Sequence, residues 1–169
     1  MATGDSRVLA IDYGERRVGF AISDPTRTIA SPAGFLIRRA GKRPPIAEMI
    51  RRAHELEAKA FVLGLPLDGN GDDTPRARDV RAIAEEIGRR TALPVSLVDE
   101  RFTTAAALRA VRAVGGSVRG RKGDVDALAA TVLLQHALRL TEAGESGARG
   151  DETERELEVG GGATSGPDQ

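Results

Sequence analysis

RVLAIDYGERRVGFAIS, residues Arg7 to Ser23, decides how the chain reads. Val8 to Ile11 form an apolar run of strand length, and Asp12 closes it at the point where a buried strand reaches water. Gly14 lets the backbone turn. Arg17 to Ser23 then alternates Arg17, Gly19 and Ala21 with Val18, Phe20 and Ile22, the pattern of an antiparallel partner strand with one buried side. Asp12 has two readings. As a turn residue it accepts hydrogen bonds from nearby backbone N–H groups; as a metal ligand it uses the room that Gly14 leaves for a phosphate or a second ion.

Working outward, Asp24-Pro25-Thr26 makes a second turn and Thr28–Ile37 a third strand, which Pro32 and Gly34 confine to a sheet edge or a bulge. From Pro44 the period becomes helical, with Ile46, Met49, Ile50 and Ala53 on one side. Phe61–Leu65 is a continuous apolar run, as in a strand buried on both faces. Thr74 caps a helix reaching Thr91, with Pro75 at its first position, and Leu93–Val98 is a fifth strand. Ala105–Val114 reads as a helix, Gly115–Gly123 as a glycine-rich loop, and Asp124 to about Leu140 as a closing helix. Strands joined through helices run parallel by right-handed crossovers. The expectation is therefore an α/β fold with a mixed five-stranded sheet, a three-strand antiparallel meander plus βαβ units, and helices on its faces.

The chain has 169 residues and no cysteine, which suits one domain and excludes disulfide or thiol chemistry. No apolar stretch approaches the roughly 18 residues of a membrane span, and Met1–Ser6 lacks the pattern of a secretion signal, so a soluble cytoplasmic protein is expected. The formal net charge of zero conceals an asymmetry. Residues 141–169 carry eight acidic side chains against Arg149 and Arg155, a net of −6, which leaves +6 on residues 1–140. Arg101 to Lys122 contains six basic residues and no acidic one, as a polyanion-binding surface does. The expected division is a domain over 1–142 and a disordered, acidic, glycine-rich tail over 143–169, which could compete weakly with nucleic acid for the basic surface.

Three acidic positions fall where ligands collect in such sheets, at the carboxyl ends of the strands. Asp12 ends the first strand, Asp99-Glu100 ends the fifth, and Asp126 lies in the first turn of the closing helix. Carboxylates converging from separate elements are what two Mg²⁺ or Mn²⁺ ions, about 4 Å apart, need in order to clamp the attacking and leaving oxygens of a phosphodiester. Asp12, Glu100 and Asp126 are the candidates. Asp99 rivals Glu100, and Asp124 rivals Asp126, although Asp124 suits an N-cap better.

LAIDYGERRVGFAISD (Leu9–Asp24), FVLGLPLDGNG (Phe61–Gly71), LVDERFTT (Leu97–Thr104) and RKGDVDALAATVLL (Arg121–Leu134) resemble, in order, the segments of the YqgF family, also called RuvX, a branch of the ribonuclease H-like superfamily. The resemblance implies a ribonuclease H-like fold and metal-bound carboxylates at Asp12, Glu100 and Asp126, and it favours Glu100 over Asp99 and Asp126 over Asp124. It also implies hydrolysis of nucleic-acid phosphodiester bonds, in 5′-end maturation of pre-16S rRNA ahead of cleavage of a four-way DNA junction.

Around these residues, the loop Asp68–Gly71 is expected to be flexible and to offer backbone N–H groups to a phosphate. Arg101 and Lys122, and after them Arg76, Arg78 and Arg121, are expected to contact nucleic acid, while Thr103 and Thr104 cap the next helix. With no Trp, one Tyr and four Phe, recognition should rest on phosphates and shape, so the expected partner is structured nucleic acid. No apolar helix face announces a dimer, which predicts a monomer or weak homodimer. The readings from other classes are a non-catalytic nucleic-acid-binding module and an ATP-binding protein of the actin and sugar-kinase type. The second needs two such domains and a second phosphate loop, which the chain lacks.

Overall fold

A computed structural model describes residues 5–39, 41–104 and 122–155. Five strands, β1 (Arg7–Tyr13), β2 (Arg17–Ser23), β3 (Ala30–Ile37), β4 (Ala58–Leu65) and β5 (Val95–Asp99), form one sheet in the order β3-β2-β1-β4-β5. β1 to β3 are an antiparallel meander, and β4 and β5 add in parallel. The mixed sheet is the one expected from the order of strands and helices. The helices among the described residues are α1 (Ile46–Glu55), α2 (Pro75–Thr91) and α3 (Lys122–Arg155), with a 3₁₀ turn at Glu100–Phe102. None of them is long and apolar enough to cross a membrane.

β1 is central and buried on both faces, and the period of two divides its side chains. Leu9, Ile11 and Tyr13 join Val18, Phe20, Phe61 and Leu63 under α1 and α2, where Met49, Val80, Ile83 and Ile87 close the larger core. Val8 and Ala10 face the other way, with Ala21, Ala60, Val62 and Val98, against Ala130, Leu133, Leu134 and Ala137 of α3. The sheet residues on that second face are mostly small, so α3 lies close. Gln135 ties α3 to the start of β3: its Oε1 accepts from the Ala30 N–H at 3.1 Å, and its Nε2 donates to the Thr28 carbonyl at 3.0 Å. β3 is the edge strand that Pro32 and Gly34 require; the register shifts opposite them between Gly19 and Ala21, and Gly34 takes φ +85°.

Several expected boundaries move. β4 begins at Ala58 rather than Phe61, since parallel pairing with β1 extends past the apolar run. β5 starts at Val95 and reaches Asp99. Thr74 caps α2 as expected, accepting from the Ala77 N–H at 3.0 Å and donating to the Pro66 carbonyl at 2.6 Å. α3 opens at Lys122, inside the expected glycine-rich loop, so Asp124 is its third residue and not its N-cap. It also runs past Leu140 to Arg155, a stretch without proline, whose glycines weaken a helix without forbidding it. Contacts divide the chain after Leu138 into two units. The expected helix Ala105–Val114 lies outside the described residues, as do Arg121 and residues 156–169.

The turn after β2 is held by Asp24, whose Oδ1 accepts from the N–H groups of Thr28 and Ile29, both at 2.8 Å, while the Thr26 hydroxyl donates to its Oδ2. The Ile29 N–H, then the Thr26 hydroxyl and the Thr28 N–H, hold the Asp24 carboxyl down at about 2. A lowered folded pKa stabilises above the ordinary value near 3.8 and loses that contribution as pH falls through the folded value. Urea unfolding should therefore show wild type more stable than Asp24→Ala by a constant margin above pH 4, shrinking as the pH is lowered towards 2.

Candidate active site

Asp12 does not end its strand at water. It is the sixth residue of β1, paired with Gly19 of β2 and only 3% exposed. Alternation puts its side chain on the α3 face with Val8 and Ala10. On either side of it stands a glycine. Gly19 is its partner on β2, and Gly64 on β4 follows the pair Ile11–Leu63 in parallel register. A Cβ on Gly19 would lie 2.1 Å from the Asp126 carbonyl oxygen, and one on Gly64 would lie 2.1 Å from Glu100 Oε1. The backbone of α3 therefore rests on β2 at Gly19, and the Glu100 carboxyl rests on β4 at Gly64. Asp12 lies on the strand between them, and Glu100 and Asp126 are buried as deeply as it is.

The choice between neighbouring acids follows from the turn after β5. Asp99 pairs with Leu65, whose side chain belongs to the α1 and α2 core, so it points to the opposite face from Glu100. There it caps the 3₁₀ turn through the Arg101 N–H at 3.0 Å and grips the Arg101 guanidinium with both oxygens. That guanidinium holds the Asp99 carboxyl below the usual carboxylate range. Arg101, expected at a phosphate, is thereby turned away from Glu100 and lies beneath the loop at Gly71, where a Cβ would come within 3.2 Å of it.

The Asp68–Gly71 loop is not the open cradle expected. Asp68 Oδ1 accepts from the N–H groups of Asn70 and Asp72 at 2.9 Å, and the Gly71 N–H bonds the Asp68 carbonyl at 3.0 Å, so the loop satisfies these donors itself. Arg76, half-buried, stands near enough to Tyr13 to act on its phenol, while Arg78 is exposed beside Asp73. Thr103 donates its hydroxyl to the Glu100 carbonyl at 3.1 Å; the helix that it and Thr104 were expected to cap lies outside the described residues.

The sequence reading missed Arg17 and Arg38. Arg17 forms an ion pair with Asp126 at 3.6 Å. Arg38 stacks 4.3 Å from the centre of the Tyr13 ring and donates to the Gly14 carbonyl at 3.2 Å. Burial pushes the Tyr13 phenol up, against the pull of Arg38 and Arg76. The two glycines were also missed as site residues, although a glycine inside a buried strand is itself a sign of close approach.

Three buried carboxylates are the hard oxygen donors that Mg²⁺ or Mn²⁺ takes, and the glycine cradles give Glu100 and Asp126 their places beside Asp12. The residues fit such ions in kind and share one sheet face, although among the described residues no three acidic, His or Cys side chains form a closed cluster.

A family model described as "RuvX: Holliday junction resolvase" matches residues 6–140. The chain belongs to the RuvX family. A relative from Roseiflexus sp. (strain RS-1), named "Putative pre-16S rRNA nuclease", is 37% identical over 138 residues, covering 82% of this chain and 97% of its own. One of the same name from Kineococcus radiotolerans is 40% identical over 142 residues, covering 83% of this chain and 76% of its own. Among solved structures, T. thermophilus RuvC in complex with a Holliday junction substrate aligns with TM-score 0.51 at 14% identity, over 82% of this chain and 96% of that one. That likeness supports the ribonuclease H-like fold.

The two glycines give separable outcomes. Gly19→Ala drives a methyl into the backbone of α3 and should cost about 3 kcal/mol of stability. Gly64→Ala meets a side chain that can move, so thermal melting should fall less, while a crystal structure should show the Glu100 carboxyl displaced.

Proposed function

We propose that this RuvX-family chain is a metal-dependent nuclease that hydrolyses phosphodiester bonds of structured nucleic acid, with Asp12, Glu100 and Asp126 as its ion ligands. The observation that carries the reading is the burial of these three acidic residues on one sheet face, with the Asp126 backbone and the Glu100 carboxyl seated against glycines that flank Asp12. Ionised carboxylates are costly to bury without compensation, and divalent cations provide it. When bound, Mg²⁺ or Mn²⁺, in two sites, supplies a nucleophilic water at neutral pH and stabilisation of the leaving 3′-oxygen. The chain's own part is to aim the ligands: β1 fixes Asp12, the 3₁₀ turn fixes Glu100, and the seating of α3 on Gly19 fixes Asp126.

We take the substrate to be precursor 16S rRNA, cut in 5′-end maturation in the cytoplasm; the relatives' shared name favours that RNA, and the family model's description favours a four-way DNA junction. We place the rRNA first. The enzyme then works as a monomer or weak homodimer, with residues 1–142 as the nuclease domain and 143–169 as an acidic appendage. Arg76, Arg78, Arg101, Lys122 and Arg121 supply the phosphate contacts, those of Arg101 at the Gly71 loop rather than beside Glu100.

Asp12→Asn keeps the size and removes the charge. It should lower Mg²⁺- or Mn²⁺-supported cleavage by at least about a hundredfold while the protein stays folded. Wild-type cleavage by that variant would overturn the assignment. Side-by-side digestion should show precursor rRNA cut in preference to a synthetic four-way junction; paired, symmetric cuts in the junction by a stable dimer would reverse the choice.

A further inference from the structure

We propose that Arg17 is the resident counter-ion of the carboxylate site, occupying at Asp126 the electrostatic role of a divalent cation and released when one binds. The inference rests on the reading of Asp12, Glu100 and Asp126 as ion ligands.

Arg17 opens β2 on the same face as Gly19, and its side chain is 22% exposed while that of Asp126 is 3%. Its Nη1 approaches Asp126 Oδ2 at 3.6 Å, and the guanidinium lies 5.6 Å from the centre of the Phe35 ring. An N–H···O hydrogen bond ends near 3.2 Å, and Nη1 is buried with no hydrogen bond among the described residues. The pair therefore neutralises charge without the directional bond that makes a buried ion pair strong. It is the kind of partner that a better one displaces.

Mg²⁺ is a better one, carrying two charges and binding oxygen at about 2.1 Å. A guanidinium and a dication sharing one carboxylate also repel each other. Arg17 need not leave the site on release, because the Phe35 ring, 36% exposed, offers the guanidinium a face at the rim.

Calorimetric titration of the full-length protein with Mn²⁺ tests this. Arg17→Gln should bind Mn²⁺ about fivefold more tightly than wild type, Arg17→Lys, which keeps the charge, should stay near wild type, and Asp126→Asn should lose tight binding. Without metal, Arg17→Gln should melt below wild type, and saturating Mn²⁺ should close the gap; a purely structural Arg17 would leave the same gap with and without metal. In the wild type, the Arg17 Nε–Hε resonance, assigned through Arg17→Lys, should shift across a Mg²⁺ titration, which decides the matter even if Arg17→Gln does not fold. Equal or weaker Mn²⁺ binding by Arg17→Gln, or an Arg17 resonance indifferent to Mg²⁺, overturns the inference and leaves the ligand assignment standing. A wild type that binds no Mn²⁺ overturns both.

Discussion

The site depends on two missing Cβ atoms. With a side chain at Gly19, α3 could not rest on β2; with one at Gly64, the Glu100 carboxyl could not lie on β4. The first is a contact of a helix backbone with a strand, which cannot be loosened without opening the smaller core beneath Ala130, Leu133 and Leu134; the second is a contact of a buried side chain, which can move. Packing and chemistry are thus the same constraint. The small residues Ala10, Ala21 and Ala60 that bring α3 near the sheet also bring Asp126 beside Asp12.

Burying three acids on one sheet face works against stability unless opposite charge is at hand. Arg17 supplies part of it from β2, across 109 positions of sequence from Asp126. The opposite face handles its acid differently: Asp99 is held by Arg101 two residues along the chain, with full hydrogen-bond geometry. The Asp99–Arg101 pair is close and fully hydrogen-bonded, whereas Arg17 meets Asp126 at 3.6 Å.

Much of this was legible in the sequence because it is local. The apolar run at Val8–Ile11, the alternation from Arg17 to Ser23 and the breakers Pro32 and Gly34 place β1 centrally and β3 at the edge, and the strand–helix order adds β4 and β5 in parallel. The acidic candidates were legible as strand-end and helix-start positions. What escaped depends on contacts distant in sequence. The depth of Asp12 comes from β2, β4 and α3 together, and the partner of Arg17 lies on another element; the Asp68 loop escaped for a local reason, since its donors are consumed by its own carboxylate. The far end of α3 escaped for another reason, since glycine content argues against a helix only on average.

The amide of Gln135 meets the edge of the sheet as a peptide group of a sixth strand would. It accepts from one residue's N–H and donates to the carbonyl two residues earlier, the spacing at which a neighbouring strand pairs. One side chain of α3 thus takes the place of a foreign strand at the start of β3, where exposed backbone would otherwise invite edge-to-edge association. The helix that carries Asp126 also guards the sheet against adding strands, and a chain approaching that end of the edge would have to displace Gln135 first.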